Sequence, residues 1–102
     1  MKRIVLAAGT ATALIFGGMG AALADGESIY INGTAPTCSS CHDRGVAGAP
    51  ELNAPEDWAD RPSSVDELVE STLAGKGAMP AYDGRADRED LVKAIEYMLS
   101  TL

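Results

Sequence analysis

Two thiols separated by two residues, with an imidazole directly after them, occupy positions 38–42: Cys38-Ser39-Ser40-Cys41-His42. That spacing is suited to covalent attachment of a c-type haem. Cys38 and Cys41 would add across the two vinyl groups as thioethers, and His42 would ligate the iron as its proximal ligand. The chain of 102 residues has two cysteines and one histidine, and the motif uses them all. Three other readings compete. A thiol–disulfide redox pair expects a βαβ setting, and no strand pattern surrounds the motif. A structural zinc ion wants four Cys or His ligands, and the whole chain supplies three. The third is chance spacing.

Iron that only carries electrons wants a sixth ligand, and no second histidine is available. Beyond the N-terminal segment the methionines are Met79 and Met98. Met98 falls on an apolar helical stripe and reads as core filler. Met79 lies in Gly75-Lys76-Gly77-Ala78-Met79-Pro80, where no packing pattern accounts for it. Pro80 has no N–H and restricts Met79 to extended conformations, which stiffens the loop that presents the sulfur. Met79 is therefore the expected distal ligand. Its competing reading is a buried loop methionine beside an open or water-bound iron. A His/Met pair raises the potential and fills both axial positions, so electron transfer is expected rather than catalysis. A labile Met79 would instead suit a haem sensor or an enzyme-associated cytochrome.

The elements that must position these groups are helical. Gly26 to Ile31 reads as a short first helix, 32–37 as a loop, and Cys38–His42 as one helical turn. Residues 44–62 are rich in Gly, Ala and Pro and read as irregular. Ser64 with Glu67 forms a capping box. Val65, Leu68, Val69, Thr72 and Leu73 follow at helical spacing, and Gly75 supplies a stop. Residues 75–86 are a second irregular stretch. Asp87 caps the last helix, Glu89 and Asp90 lie in its first turn, and Leu91, Ile95, Met98 and Leu99 make one stripe. The expected class is all-α, three to four short helices with long loops. Loops of this length suit a chain that wraps a cofactor.

The termini and totals bound the rest. Met1-Lys2-Arg3 is basic, Ile4 to Ala24 carries no charge, and Ala22-Leu23-Ala24 is a small-x-small exit. Residues 1–24 therefore read as a signal peptide cleaved after Ala24, with an uncleaved membrane anchor as the alternative. Export to the periplasm agrees with the haem-attachment reading. The remaining 25–102 form one small domain of 78 residues, whose thin core a covalent haem would staple. Of eight Lys and Arg, Lys2 and Arg3 leave with the signal, so six face fifteen acids, a formal charge of −9. Nucleic acid is excluded as a natural partner. The acidic surface suits either redox partners with basic docking faces, including membrane-bound complexes, or solubility in a salty habitat. A monomer is the simplest expectation.

Over most of residues 26–100 the chain resembles class I c-type cytochromes, in particular the small bacterial cytochrome c5 type. The likeness is carried by Cys38–His42, Gly45-Val46-Ala47-Gly48-Ala49-Pro50, Trp58-Ala59-Asp60-Arg61, Gly75 to Pro80, and Leu91 to Leu99 with Tyr97. It implies the small class I cytochrome c fold around one covalent haem. It also implies that the Pro50 carbonyl accepts the Nδ1–H of His42, fixing the ring's orientation and basicity. Trp58 and Arg61 match positions beside the haem propionates, where indole N–H and guanidinium groups are apt donors; for Trp58, core packing is an equal alternative. Gly26 and Tyr30 match positions that pack on the last helix near Ala94 and Tyr97. Two departures stand out. Asn32–Thr37 lengthens the approach to Cys38, and the extra disulfide of some cytochrome c5 proteins cannot form.

Overall fold

A computed structural model describes residues 23–102. Nearly all of the expected signal peptide therefore lies outside the described residues. Helix α1 covers 23–32, beginning upstream of the Gly26 start expected from the sequence. It is followed by α2 (Ser39–His42), a 3₁₀ turn (Val46–Gly48), α3 (Pro55–Trp58), α4 (Val65–Ala74) and α5 (Arg88–Ser100). Among the described residues there is no strand.

Helices α4 and α5 are the two long elements, and each follows its apolar periodicity. Ser64 Oγ accepts the Glu67 N–H at 3.4 Å to begin α4. Gly75 ends α4 with φ +81°, and a Cβ there would lie 2.9 Å from the Ala81 nitrogen. Asp87 occupies the N-cap of α5 with extended backbone, but its side chain makes no capping bond. The sequence expectation is corrected on that point. Glu89 and Asp90 still place negative charge at the positive end of the helix. Arg88, beside them, pairs with Glu70 and Asp66 of α4, tying the two helices at the surface.

The core sits between α4, α5 and the loop joining them. Val69, Tyr82, Leu91 and Ile95 are buried together, with Leu68, Leu73, Met79 and Leu99 packed on them. On its other side α5 meets α1. A Cβ on Gly26 would lie 2.3 Å from the Lys93 carbonyl oxygen and 2.9 Å from Tyr97 Cβ, so only glycine permits this approach. Next to it, the rings of Tyr30 and Tyr97 lie 5.6 Å apart at 51°. The longer connection 32–37 thus leaves α1 docked on α5.

The stretch 44–62 is less irregular than its composition suggests. Pro55 at the first helical position, with Glu56 and Asp57 in the first turn, starts the single turn of α3. These local signals outweigh the Gly and Pro content around them.

Candidate functional site

The residues expected to do chemistry converge on one cleft. Its cavity volume is ≈ 320 Å³, and Cys38, Cys41, His42, Pro50, Trp58, Arg61 and Met79 all line it. Leu91, Ile95 and Met98 of α5 and Leu68 of α4 supply apolar wall. Four segments distant in sequence therefore build one slot, and the α4–α5 pair is the frame they share.

His42 ends α2 and is buried, 8% exposed. Its Nδ1 lies 2.7 Å from the Pro50 carbonyl oxygen. A carbonyl only accepts, so Nδ1 carries the proton and Nε2 keeps its lone pair free for a metal. Burial lowers the His42 pKa, and the Arg61 charge adds to that. The Pro50 bond and the Asp43 carboxylate act the other way, but the net direction is down. Neutral imidazole, the form that ligates metals, is thereby favoured. The His42 peptide is anchored as well: its carbonyl accepts the Leu52 N–H at 3.1 Å.

Cys38 and Cys41 are half-buried and form no disulfide with each other. Burial pushes the Cys38 thiol up, against the lowering effect of the Thr34 hydroxyl 3.7 Å away. A raised thiol pKa runs against the dithiol redox reading, which needs a ready thiolate. Among the described residues, no group of three or more His, Cys, Asp and Glu is placed to hold a metal ion. The closed zinc site, the other rival, has no ligand set there.

Trp58 closes α3 and stacks near His42, with ring centroids 6.2 Å apart at 24°. Its Nε1–H is donated to the Glu51 carbonyl at 2.8 Å. The indole thus lines the cleft while its donor is engaged within the protein. Arg61 Nε donates to the Asp57 carbonyl at 3.2 Å, and among the described residues no ion pair engages its guanidinium.

Met79 is half-buried on a tight turn. The Lys76 N–H donates to the Met79 carbonyl at 3.1 Å, and the Met79 N–H donates back to Lys76 at 2.9 Å. Gly77 within the turn has φ +58°, a left-handed value that glycine adopts freely. After the turn, the Tyr82 and Asp83 N–H groups donate to the Thr72 and Leu73 carbonyls at the end of α4. The loop is long in sequence but closely tied. Tyr82 also lines the cleft, and it carries no motif that its sequence neighbourhood could single out.

The donor set answers whether haem c fits. Two thiols, a neutral imidazole with Nε2 free and a thioether share a largely apolar slot, and a cationic side chain stands in its wall. Soft sulfur and imidazole suit iron in a macrocycle, and the apolar walls suit the porphyrin faces.

Comparison with known proteins agrees. The family model described as "Cytochrome C oxidase, cbb3-type, subunit III" matches residues 21–98. Cytochrome c-551 of Halorhodospira halochloris is 63% identical over 78 residues, covering 76% of this chain and 99% of that protein. Cytochrome c-555 of Chlorobaculum tepidum is 33% identical over 97% of this chain and 96% of its own length. Cytochrome c6 of Microcystis aeruginosa is 35% identical over 74% and 93%. Among solved structures, a chain of the crystal structure of an electron transfer complex of nitrite reductase with cytochrome c superposes with a TM-score of 0.64. It is 38% identical, covering 76% of this chain and 93% of that one. The chain belongs to the class I c-type cytochromes, small all-α electron-transfer proteins rather than enzymes, and its haem c is bound through Cys38 and Cys41.

Proposed function

We propose that the chain is a periplasmic one-electron carrier whose haem iron is ligated by His42 and Met79. When bound, the haem supplies a one-electron iron couple; the protein's part is to hold it, tune it and keep water away. The carrying observation is the cleft itself, which brings the single histidine, with Nε2 free, together with a methionine on a pinned turn. Pro50 keeps the imidazole proton on Nδ1 and fixes the ring plane. The Met79 thioether favours the reduced metal. Arg61 is placed to balance propionate charge, and Trp58 to pack beside the proximal ring. Met98 also lines the cleft, but it lies on α5, 4% exposed, within the helix's packed stripe. The turn, not the helix, is the better mount for a ligand.

One length supports export: removal of residues 1–24 would leave 78 residues, the length over which the Halorhodospira cytochrome aligns across 99% of itself. Among the described residues, which do not include 1–22, no helix is long and apolar enough to cross a membrane. Of the fifteen acidic residues, all but Glu51 and Asp90 are exposed. This surface suits brief encounters with basic faces of redox proteins, soluble or membrane-bound, and salt would slow them.

A redox titration of the exported holoprotein with visible spectra tests the reading. The expected result is one reversible couple, a sulfur–iron charge-transfer band in the oxidised form, and no response to carbon monoxide after reduction. Ready carbon monoxide binding would replace the carrier with a protein whose sixth position is open.

A further inference from the structure

The Met79 loop is tied mainly to its own neighbourhood, the end of α4. Among the described residues, one side-chain hydrogen bond joins it to the segment that leads into Cys38. The Tyr82 hydroxyl donates to the Pro36 carbonyl at 2.7 Å across 46 positions of sequence. The Thr34 hydroxyl donates to the same oxygen at 2.8 Å, so both of its lone pairs are used. Thr34 Oγ1 also lies 3.7 Å from Cys38 Sγ. Tyr82 and Thr34 are 3% and 8% exposed, although both sit in loops. Pro36, Cys38, Met79 and Tyr82 all line the cleft.

From this arrangement we infer that Tyr82 is a positioning residue: its hydroxyl latches the Met79 loop to the Pro36 segment and holds the cleft closed over the sixth position. The inference rests on the reading of Met79 as ligand and deepens it. Parting the Met79 loop from the Pro36 segment means breaking the Tyr82 bond, since among the described residues the loop's other hydrogen bonds run within itself and to the end of α4. The stretch 32–37, set apart in the sequence by its length, thereby acquires a role, because it brings an acceptor within reach of the loop. A buried tyrosine hydroxyl is a good latch because it is rigid, and breaking its bond without water is costly.

Tyr82→Phe is the test. The ring stays, and the Pro36 carbonyl keeps Thr34, so no buried group is orphaned. In the oxidised holoprotein, imidazole displaces the thioether, read as loss of the sulfur–iron band, and this becomes roughly three- to ten-fold faster. Amide exchange at Met79 and Tyr82 accelerates by a similar factor. Tyr97→Phe is the control. It removes a hydroxyl whose bond to exposed Glu27 lies on the α1–α5 side, and both readouts stay at the unmodified values. Unchanged rates in Tyr82→Phe, or an equal acceleration in Tyr97→Phe, overturn the latch. Absence of the band from the unmodified protein would instead overturn Met79 ligation, and the exchange comparison would still decide the latch.

Discussion

The His42 side and the Met79 side of the cleft are held by different means. Around His42, side chains bond to backbone carbonyls: the imidazole to Pro50 and the Trp58 indole to Glu51. Around Met79, backbone bonds to backbone in the Lys76–Met79 turn and at the end of α4, with Tyr82 as the side-chain addition. The difference follows from the ligand atoms. An imidazole has two nitrogens, so the protein must choose which one carries the proton and where the ring plane lies. A thioether sulfur has no proton to place, so fixing the backbone suffices. The same contrast shows in burial, with His42 buried and Met79 half-buried. Any opening of the site is therefore expected on the Met79 side.

Met79→Ala breaks the comparison most severely. Haem stays attached, the sulfur–iron band is lost, carbon monoxide binds after reduction, and the potential falls. Met98→Ala is expected to act on the fold alone. It costs about 2–5 kcal/mol in denaturant unfolding, since the side chain is buried on α5, and the band survives. Loss of the band in Met98→Ala but not in Met79→Ala would exchange the two assignments. Trp58→Phe probes the proximal wall with the smallest effect. It removes the donor to Glu51 and costs about 1 kcal/mol, with the band again retained. A large loss of band in Trp58→Phe would show that the proximal side yields as readily as the distal one.

The sequence made the ligand-bearing pentapeptide plain, because spacing alone carries that chemistry. It also placed α4 and α5, whose apolar residues repeat at helical intervals over ten and thirteen residues. The Met79 loop was legible as a Gly- and Pro-rich stretch, but the tight Lys76–Met79 turn within it was not. Contacts between distant segments were not. The Tyr82–Pro36 bond spans 46 residues, and nothing in either neighbourhood announces the other. Helix α3 was hidden because one turn is too short to show periodicity, although Pro55 and its acidic neighbours mark its start. The partner of the Trp58 donor was hidden for a related reason: indole N–H takes the first carbonyl in reach, and the Glu51 carbonyl is brought there by the fold. Asp87 shows the converse, a residue of the right type at the N-cap whose side chain is not used.

Labelling the methionine methyl groups of the reduced holoprotein gives the most direct test. Residues 25–102 contain two methionines, Met79 and Met98. One methyl resonance is expected far upfield, shifted by the ring current of the macrocycle, present in Met98→Leu and absent in Met79→Ala. Two methyl resonances at ordinary positions, or an upfield signal that disappears with Met98, would contradict ligation by Met79.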